Sequence, residues 1–240
     1  MKQAPSIFNG ILAVFALSFA VLALAPALQI GGLQPVVDED SGDIYPIDVS
    51  GVQAQGRAVY VSQGCVACHT EQVRDPSEGA DIARGWGVRR TVARDYIYEK
   101  PALLGYMRFG PDLANIGSRK PDPKLGDDPD KYTAEWHYRH LYDPRGTSPG
   151  SIMPSYKFLF EKRKVAGQPD ADAVKLEGEE ALAVGYEIVP GPEARALVAY
   201  LTTLDHSHPL KEAGPNIEPP KTSGTGAAAA PAGPAGGTKK

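Results

Sequence analysis

Cys65-Val66-Ala67-Cys68-His69 decides how this chain is read. Two thiols stand one helical turn apart and an imidazole follows the second, so both sulfurs can bond the vinyl groups of a haem while the ring binds its iron. Two rival chemistries use similar thiol spacing. A redox dithiol belongs at a helix start after a strand, and no βαβ pattern surrounds Cys65. A zinc site needs two further ligands; His137 and His140 offer them, yet the imidazole directly after Cys68 is then unexplained. The chain holds only 2 cysteines, which excludes a four-thiolate zinc site and a disulfide framework. The pentapeptide predicts one covalent haem c through Cys65 and Cys68, with His69 on the iron.

An iron that only exchanges electrons needs a second axial ligand. Met107, Met153, His137, His140, His206 and His208 are the candidates. Met153 lies in Pro149-Gly150-Ser151-Ile152-Met153-Pro154, where flanking prolines stiffen the loop and fix the approach of the thioether. Met107, beside Arg108 and Phe109, reads as packing, and His137 and His140 near Trp136 read as satisfied structural histidines. Met153 is the expected ligand. The second ring nitrogen of His69 needs an acceptor that sets its tautomer. Gly110-Pro111-Asp112-Leu113 offers the Pro111 carbonyl, although these residues alone equally describe an ordinary turn. Residues 84–108 carry Arg84, Arg89, Arg90, Arg94, Lys100 and Arg108 against Asp95 and Glu99, interleaved with Trp86, Tyr96, Tyr98, Tyr106 and Phe109. Such arginines pair with haem propionates or with a partner subunit, or form a solvated face.

Outward from this centre, 240 residues with 42% hydrophobic and 22% charged content hold one domain plus appendages. A formal charge of −4 removes the basic excess that nucleic-acid phosphates require. No charge falls between Lys2 and Asp38, and residues 6–28 are almost wholly apolar, enough to span a bilayer. A secretory signal peptide is the rival; the long apolar run and Pro26 behind Ala23-Leu24-Ala25 favour an uncleaved anchor over residues 1–30. Lys2 and the terminal amine place the N-terminus in the cytoplasm and the rest outside the inner membrane. Residues 31–50 read as a linker, 51–212 as the haem domain with a charged surface insertion at 161–190, and 213–240 as a disordered Ala/Pro/Gly-rich tail. Helical spacing is expected over 52–61, 134–141 and 192–204, the last with Ala196, Leu197, Tyr200, Leu201 and Leu204 on its apolar face. The fold class expected is mainly α, a class I cytochrome c-like domain with long loops behind one transmembrane helix.

Several blocks stand in a fixed order: residues 64–74, Trp86-Gly87-Val88-Arg89-Arg90, Tyr98-Glu99-Lys100-Pro101, Arg108-Phe109-Gly110-Pro111-Asp112-Leu113-Ala114, Trp136-His137, Asp143-Pro144-Arg145 and Ser151-Ile152-Met153-Pro154. Together they resemble the monohaem subunit II of cbb(3)-type cytochrome c oxidases, over about residues 5–160 plus the C-terminal helix. The resemblance implies a periplasmic cytochrome c domain anchored by one helix beside a haem–copper catalytic subunit and other cytochrome subunits. It implies electrons arriving from a donor cytochrome c, His69 and Met153 on the iron, Pro111 behind His69, and terminal helices crossing near Gly56, Tyr60 and Tyr200. Longer segments at 120–131 and 162–190 and the tail depart from it. No residue pattern supplies acid–base or nucleophilic catalysis, so oxygen reduction belongs to the complex. A free-standing tethered cytochrome c, or the haem c subunit of a nitric oxide reductase, is the alternative. A haem sensor or peroxidase requires Met153 to be off the iron.

Overall fold

In the computed structural model, which describes residues 4–37, 42–123, 127–176 and 182–217, the apolar N-terminus forms a single helical rod. It comprises α1 (Ala4–Phe19), a π-helical stretch (Ala20–Leu24) and α2 (Ala25–Ile30). Pro26 lacks the N–H that the carbonyl four residues earlier would accept, and its ring crowds that carbonyl; the wide turn directly upstream absorbs both. The 26 residues Pro5–Ile30 reach about 39 Å at ~1.5 Å per residue, more than the ~30 Å hydrocarbon core. The side chains along the rod bury nothing against the protein, so it suits a membrane anchor.

The segment expected as a linker is largely fastened to the domain. Strand β1 (Val36–Val37) pairs antiparallel with β2 (Ile44–Tyr45), Val36 opposite Tyr45. The Tyr45 hydroxyl donates to Asp95 Oδ1 at 2.7 Å, its ring stacks on His208 at 4.7 Å, and Arg94 donates to the Gln34 carbonyl. One aromatic side chain and one main-chain carbonyl supply the hold, within a stretch whose Gly, Pro and Asp content reads as spacer.

Helices α3 (Gly51–Ser62) and α6 (Pro192–Leu201) cross at the centre of the domain. A Cβ on Gly56 would overlap the Ala196 carbonyl oxygen and stand 2.7 Å from Tyr200 Cβ, so only glycine permits this approach. Tyr60 and Tyr200 meet four residues on, ring centroids 5.7 Å apart. Val59, Tyr60, Leu197, Val198 and Leu201 are buried with Leu113, Ile116 and Leu141 in one apolar cluster. Each fully buried leucine there contributes roughly 1.5–3 kcal/mol. Helix α4 (Ala134–Tyr142) adds Tyr138 and Leu141, and Thr133 caps it by accepting the Trp136 N–H at 3.2 Å; α5 (Pro144–Thr147) follows. Pro192 at its start and Glu193 in its first turn open α6.

The charged segment at 161–190 contains a hairpin of β3 (Phe160–Lys164) and β4 (Tyr186–Pro190), with Lys162 opposite Ile188. Its outer strand is exposed and tied by Arg163 to Glu187 and Asp170, each at 2.9 Å. Its inner strand buries Ile188 and Val189, and Val174 docks against it through a 2.8 Å bond to the Ile188 carbonyl. A window dominated by charge thus conceals a core strand of five residues. Residues 70–123 and 127–133 run mostly as turns. A short turn at Lys211–Ala213 leads to Ile217, whose N–H bonds the Val88 carbonyl at 2.6 Å. The other residues of the expected tail, 218–240, lie outside those described.

Candidate haem site

Gly64 turns the chain out of α3 at φ 73°, and Cys65–Ala67 wind into one tight 3₁₀ turn. The N–H groups of Cys68 and His69 both return to the Cys65 carbonyl, at 3.1 and 2.9 Å. Both cysteines are free thiols, Cys65 buried and Cys68 exposed. Burial pushes the Cys65 thiol up to about 11, so it stays neutral at physiological pH.

His69 Nδ1 lies 2.8 Å from the Pro111 carbonyl oxygen. A carbonyl only accepts, so Nδ1 carries the hydrogen and Nε2 keeps the lone pair that a metal needs. The Gly110 backbone lies against the ring: a Cβ there would stand 2.6 Å from Nδ1 and 2.8 Å from Nε2. Two ladders hold this loop to the residues after the motif. Gly110 N–H bonds the Cys68 carbonyl at 3.0 Å and Leu113 N–H the Thr70 carbonyl at 2.7 Å. The buried Asp112 carboxylate accepts from Thr70 Oγ1, Gln72 N–H and Ala114 N–H at 2.6, 2.7 and 2.9 Å. Burial lowers the basicity of His69, against the opposing pull of the Pro111 carbonyl, and favours the neutral ligating form.

Met153 is half-buried at the edge of the apolar cluster that contains Cys65, its N–H bonded to Ser151 Oγ at 3.2 Å. Tyr156, three residues on, reaches the Cys65 thiol and is tied by its N–H to the Leu141 carbonyl at 2.8 Å. Met107 is 54% exposed. Two thiols on one turn, an imidazole with a free nitrogen and a thioether bordering the same cluster make a donor set that fits a covalent haem. Among the described residues no group of three or more His, Cys, Asp or Glu gathers as a metal site, so the zinc alternative lacks its second pair. His140 is satisfied, Nδ1 lying 2.6 Å from Thr147 Oγ1 and the ring stacked on Trp136 at 4.6 Å. His137 is not: its Nε2 is buried without a hydrogen-bond partner, contrary to the reading from sequence.

The arginines of residues 84–108 turn out to be mostly internal braces. Arg89 forks onto Asp95 with both side chains fully buried, and its Nε donates to the His208 carbonyl at 2.7 Å. Arg94 pairs with Glu212, and Arg90 donates to the Glu212 carbonyl at 2.6 Å. Arg108 and Arg74 converge on buried Asp81, at 2.5 and 3.0 Å, and Arg84 and Arg108 lie over the Trp86 ring at 5.0 and 5.7 Å. The roles of Gly110, Asp81 and Asp112 were not visible in sequence; only the triplet Gly110-Pro111-Asp112 hinted at a tight approach.

An uncharged helical rod joined to a mainly helical domain that presents Cys-x-x-Cys-His defines a membrane-anchored cytochrome c-like protein. The sequence matches the family described as cytochrome c oxidase, mono-heme subunit/FixO, over residues 5–188. The chain belongs to this family, the monohaem subunit of cbb(3)-type oxidases. The match runs through residues 120–131 and to the middle of β4, so the first longer segment and all but the last two residues of the second lie inside the family span. No curated protein matches the chain.

Proposed function

We propose that this subunit carries one haem c bonded through Cys65 and Cys68, with His69 Nε2 and the Met153 sulfur as axial ligands, on the periplasmic side of the bacterial inner membrane. When bound, the haem supplies one-electron chemistry; the chain supplies ligation, burial and position. It takes electrons singly from a donor cytochrome c or similar carrier and relays them toward the haem–copper subunit that reduces oxygen. The 2.8 Å contact between His69 Nδ1 and the Pro111 carbonyl carries this reading, because it orients and electronically tunes a ligand rather than a core histidine.

The subunit role, rather than a free carrier, is supported by an apolar collar beside the motif. Tyr106 and Phe109 are 83% and 64% exposed, with Leu104 and Met107 also exposed. The loop that carries them is bonded to the motif, Tyr106 N–H to the Val66 carbonyl at 3.3 Å. Exposed apolar groups on this scale mark a surface that meets another protein.

The test is Met153→Ala in the anchored chain. Retained porphyrin mass with loss of the low-spin, methionine-ligated spectrum and a lower potential is expected; an unaltered spectrum removes Met153 from the iron. Mild solubilisation that recovers the chain without a haem–copper protein would overturn the subunit role.

A further inference from the structure

The two-stranded ribbon that follows the rod has two unlike faces. Val36 stands opposite Tyr45 and Val37 opposite Ile44, and residues directly opposed in an antiparallel pair point to the same side. The side of Val36 and Tyr45 turns to the domain: both are half-buried, and Tyr45 is held by Asp95 and His208. The side of Val37 and Ile44 turns outward, 62% and 56% exposed. Ile47, just past the buried Pro46, is 79% exposed. Three β-branched aliphatic side chains held outward on one short ribbon mark a surface that something covers.

Composition separates this face from the collar beside the haem motif. The collar carries Tyr106, Met107 and Phe109, side-chain types enriched where proteins meet, whereas the ribbon presents only Val and Ile. Its place in the chain separates it too. Val37 follows Ile30, the last residue of the rod, by seven positions, at most about 25 Å of backbone. Where the rod crosses a bilayer, the ribbon is thus confined to the neighbourhood of the headgroup layer. Charge narrows the lipid. Asp38, Glu39, Asp40, Asp43 and Asp48 fall within this stretch of sequence, without a Lys or Arg among them. An anionic lipid surface repels such a stretch; a zwitterionic one does not.

We propose that the face of Val37 and Ile44, together with Ile47, is a second membrane contact, seating its aliphatic side chains in the headgroup layer of zwitterionic phospholipid. This rests on the reading of residues 5–30 as a membrane anchor. The opposite face of the same ribbon is committed to the domain, since the Tyr45 hydroxyl bonds the carboxylate that Arg89 grips. The ribbon is therefore a strut between lipid and domain: contact on its outer face fixes the tilt of the whole domain over the bilayer, not merely the position of a loop.

The test uses the full chain in phosphatidylcholine liposomes. Benzoylphenylalanine, which under near-ultraviolet light bonds to whatever C–H lies beside it, replaces Ile44 or Ile47, with Leu17 on the rod and the fully exposed Val184 as references. Adducts are read by mass. Phospholipid adducts are expected at 17, 44 and 47 and not at 184. The yield at 44 and 47, but not at 17, is expected to fall severalfold when phosphatidylglycerol replaces part of the phosphatidylcholine, and to recover in high salt. Lipid adducts at 17 without any at 44 and 47 overturn the second contact alone, as do yields at 44 and 47 that match 184 or that grow with anionic lipid. Cross-links from 44 and 47 to another protein, in native membranes holding the oxidase, also overturn it. Absence of lipid at 17 overturns the anchor and the second contact together.

Discussion

Arg89 and Asp95 face each other through two parallel hydrogen bonds of 3.0 and 2.8 Å, with neither side chain reaching solvent. Tyr45 adds a third bond to the same carboxylate at 2.7 Å, so the pair also fastens the segment after the membrane helix. Asp95→Asn leaves the guanidinium buried and uncompensated, and is expected to cost about 3–5 kcal/mol in denaturant unfolding at neutral pH. Burial alone would raise the Asp95 carboxyl, but the bonds and charge of Arg89 outweigh it and hold it below the usual carboxylate range. A depressed carboxyl contributes stability above its unfolded pKa and loses it as pH falls through the folded one. The gap between wild type and variant should therefore narrow in acid; a gap independent of pH would refute the ion pair as its source.

Asp81 gives a numbered version of the same effect. Arg74 reaches its carboxylate at 3.0 Å and Arg108 at 2.5 Å, and although burial opposes them they hold it at about 2. Its stabilising contribution is complete above the ordinary aspartate value of about 4 and disappears as pH falls to about 2. Asp81→Asn should remove the portion of acid unfolding that falls in this window, measurable as a shallower stability slope.

Gly110→Ala places a methyl group against the His69 ring, 2.6 Å from Nδ1. The ring must swing or the loop must lift, and either breaks the bond to the Pro111 carbonyl. Thioether attachment to Cys65 and Cys68 should survive while the low-spin spectrum is lost or broadened. An intact spectrum would show that the approach of Gly110 is not what holds the ligand.

Gly56→Ala tests the helix crossing independently of the haem. Its methyl group would overlap the Ala196 carbonyl, and separating α3 from α6 should cost about 1–3 kcal/mol or prevent accumulation of the chain. A stability within experimental error of wild type would mean that the helices separate freely.

The apolar rod, α3, α4, α6 and the turn of Cys-x-x-Cys-His were legible because each is local: an uncharged run, a 3.6-residue spacing, a fixed motif. What sequence hid was long-range. Nothing near Tyr45 announces Asp95 fifty residues on, and nothing in a charge-rich window marks Ile188 and Val189 as core. The arginines misled for the same reason, since an ion pair such as Arg108 with Asp81 is invisible until the loops close.

Arg94 grips the chain at Gln34, and α2 ends at Ile30. Only three residues therefore join rod to head, a leash of at most roughly 10 Å at full stretch, and Gly31 and Leu33 are bonded back to the rod through the Ala27 and Ile30 carbonyls. A head on so short a leash cannot swing far from the end of the rod. Its height above any bilayer the rod crosses is set by the length of that leash.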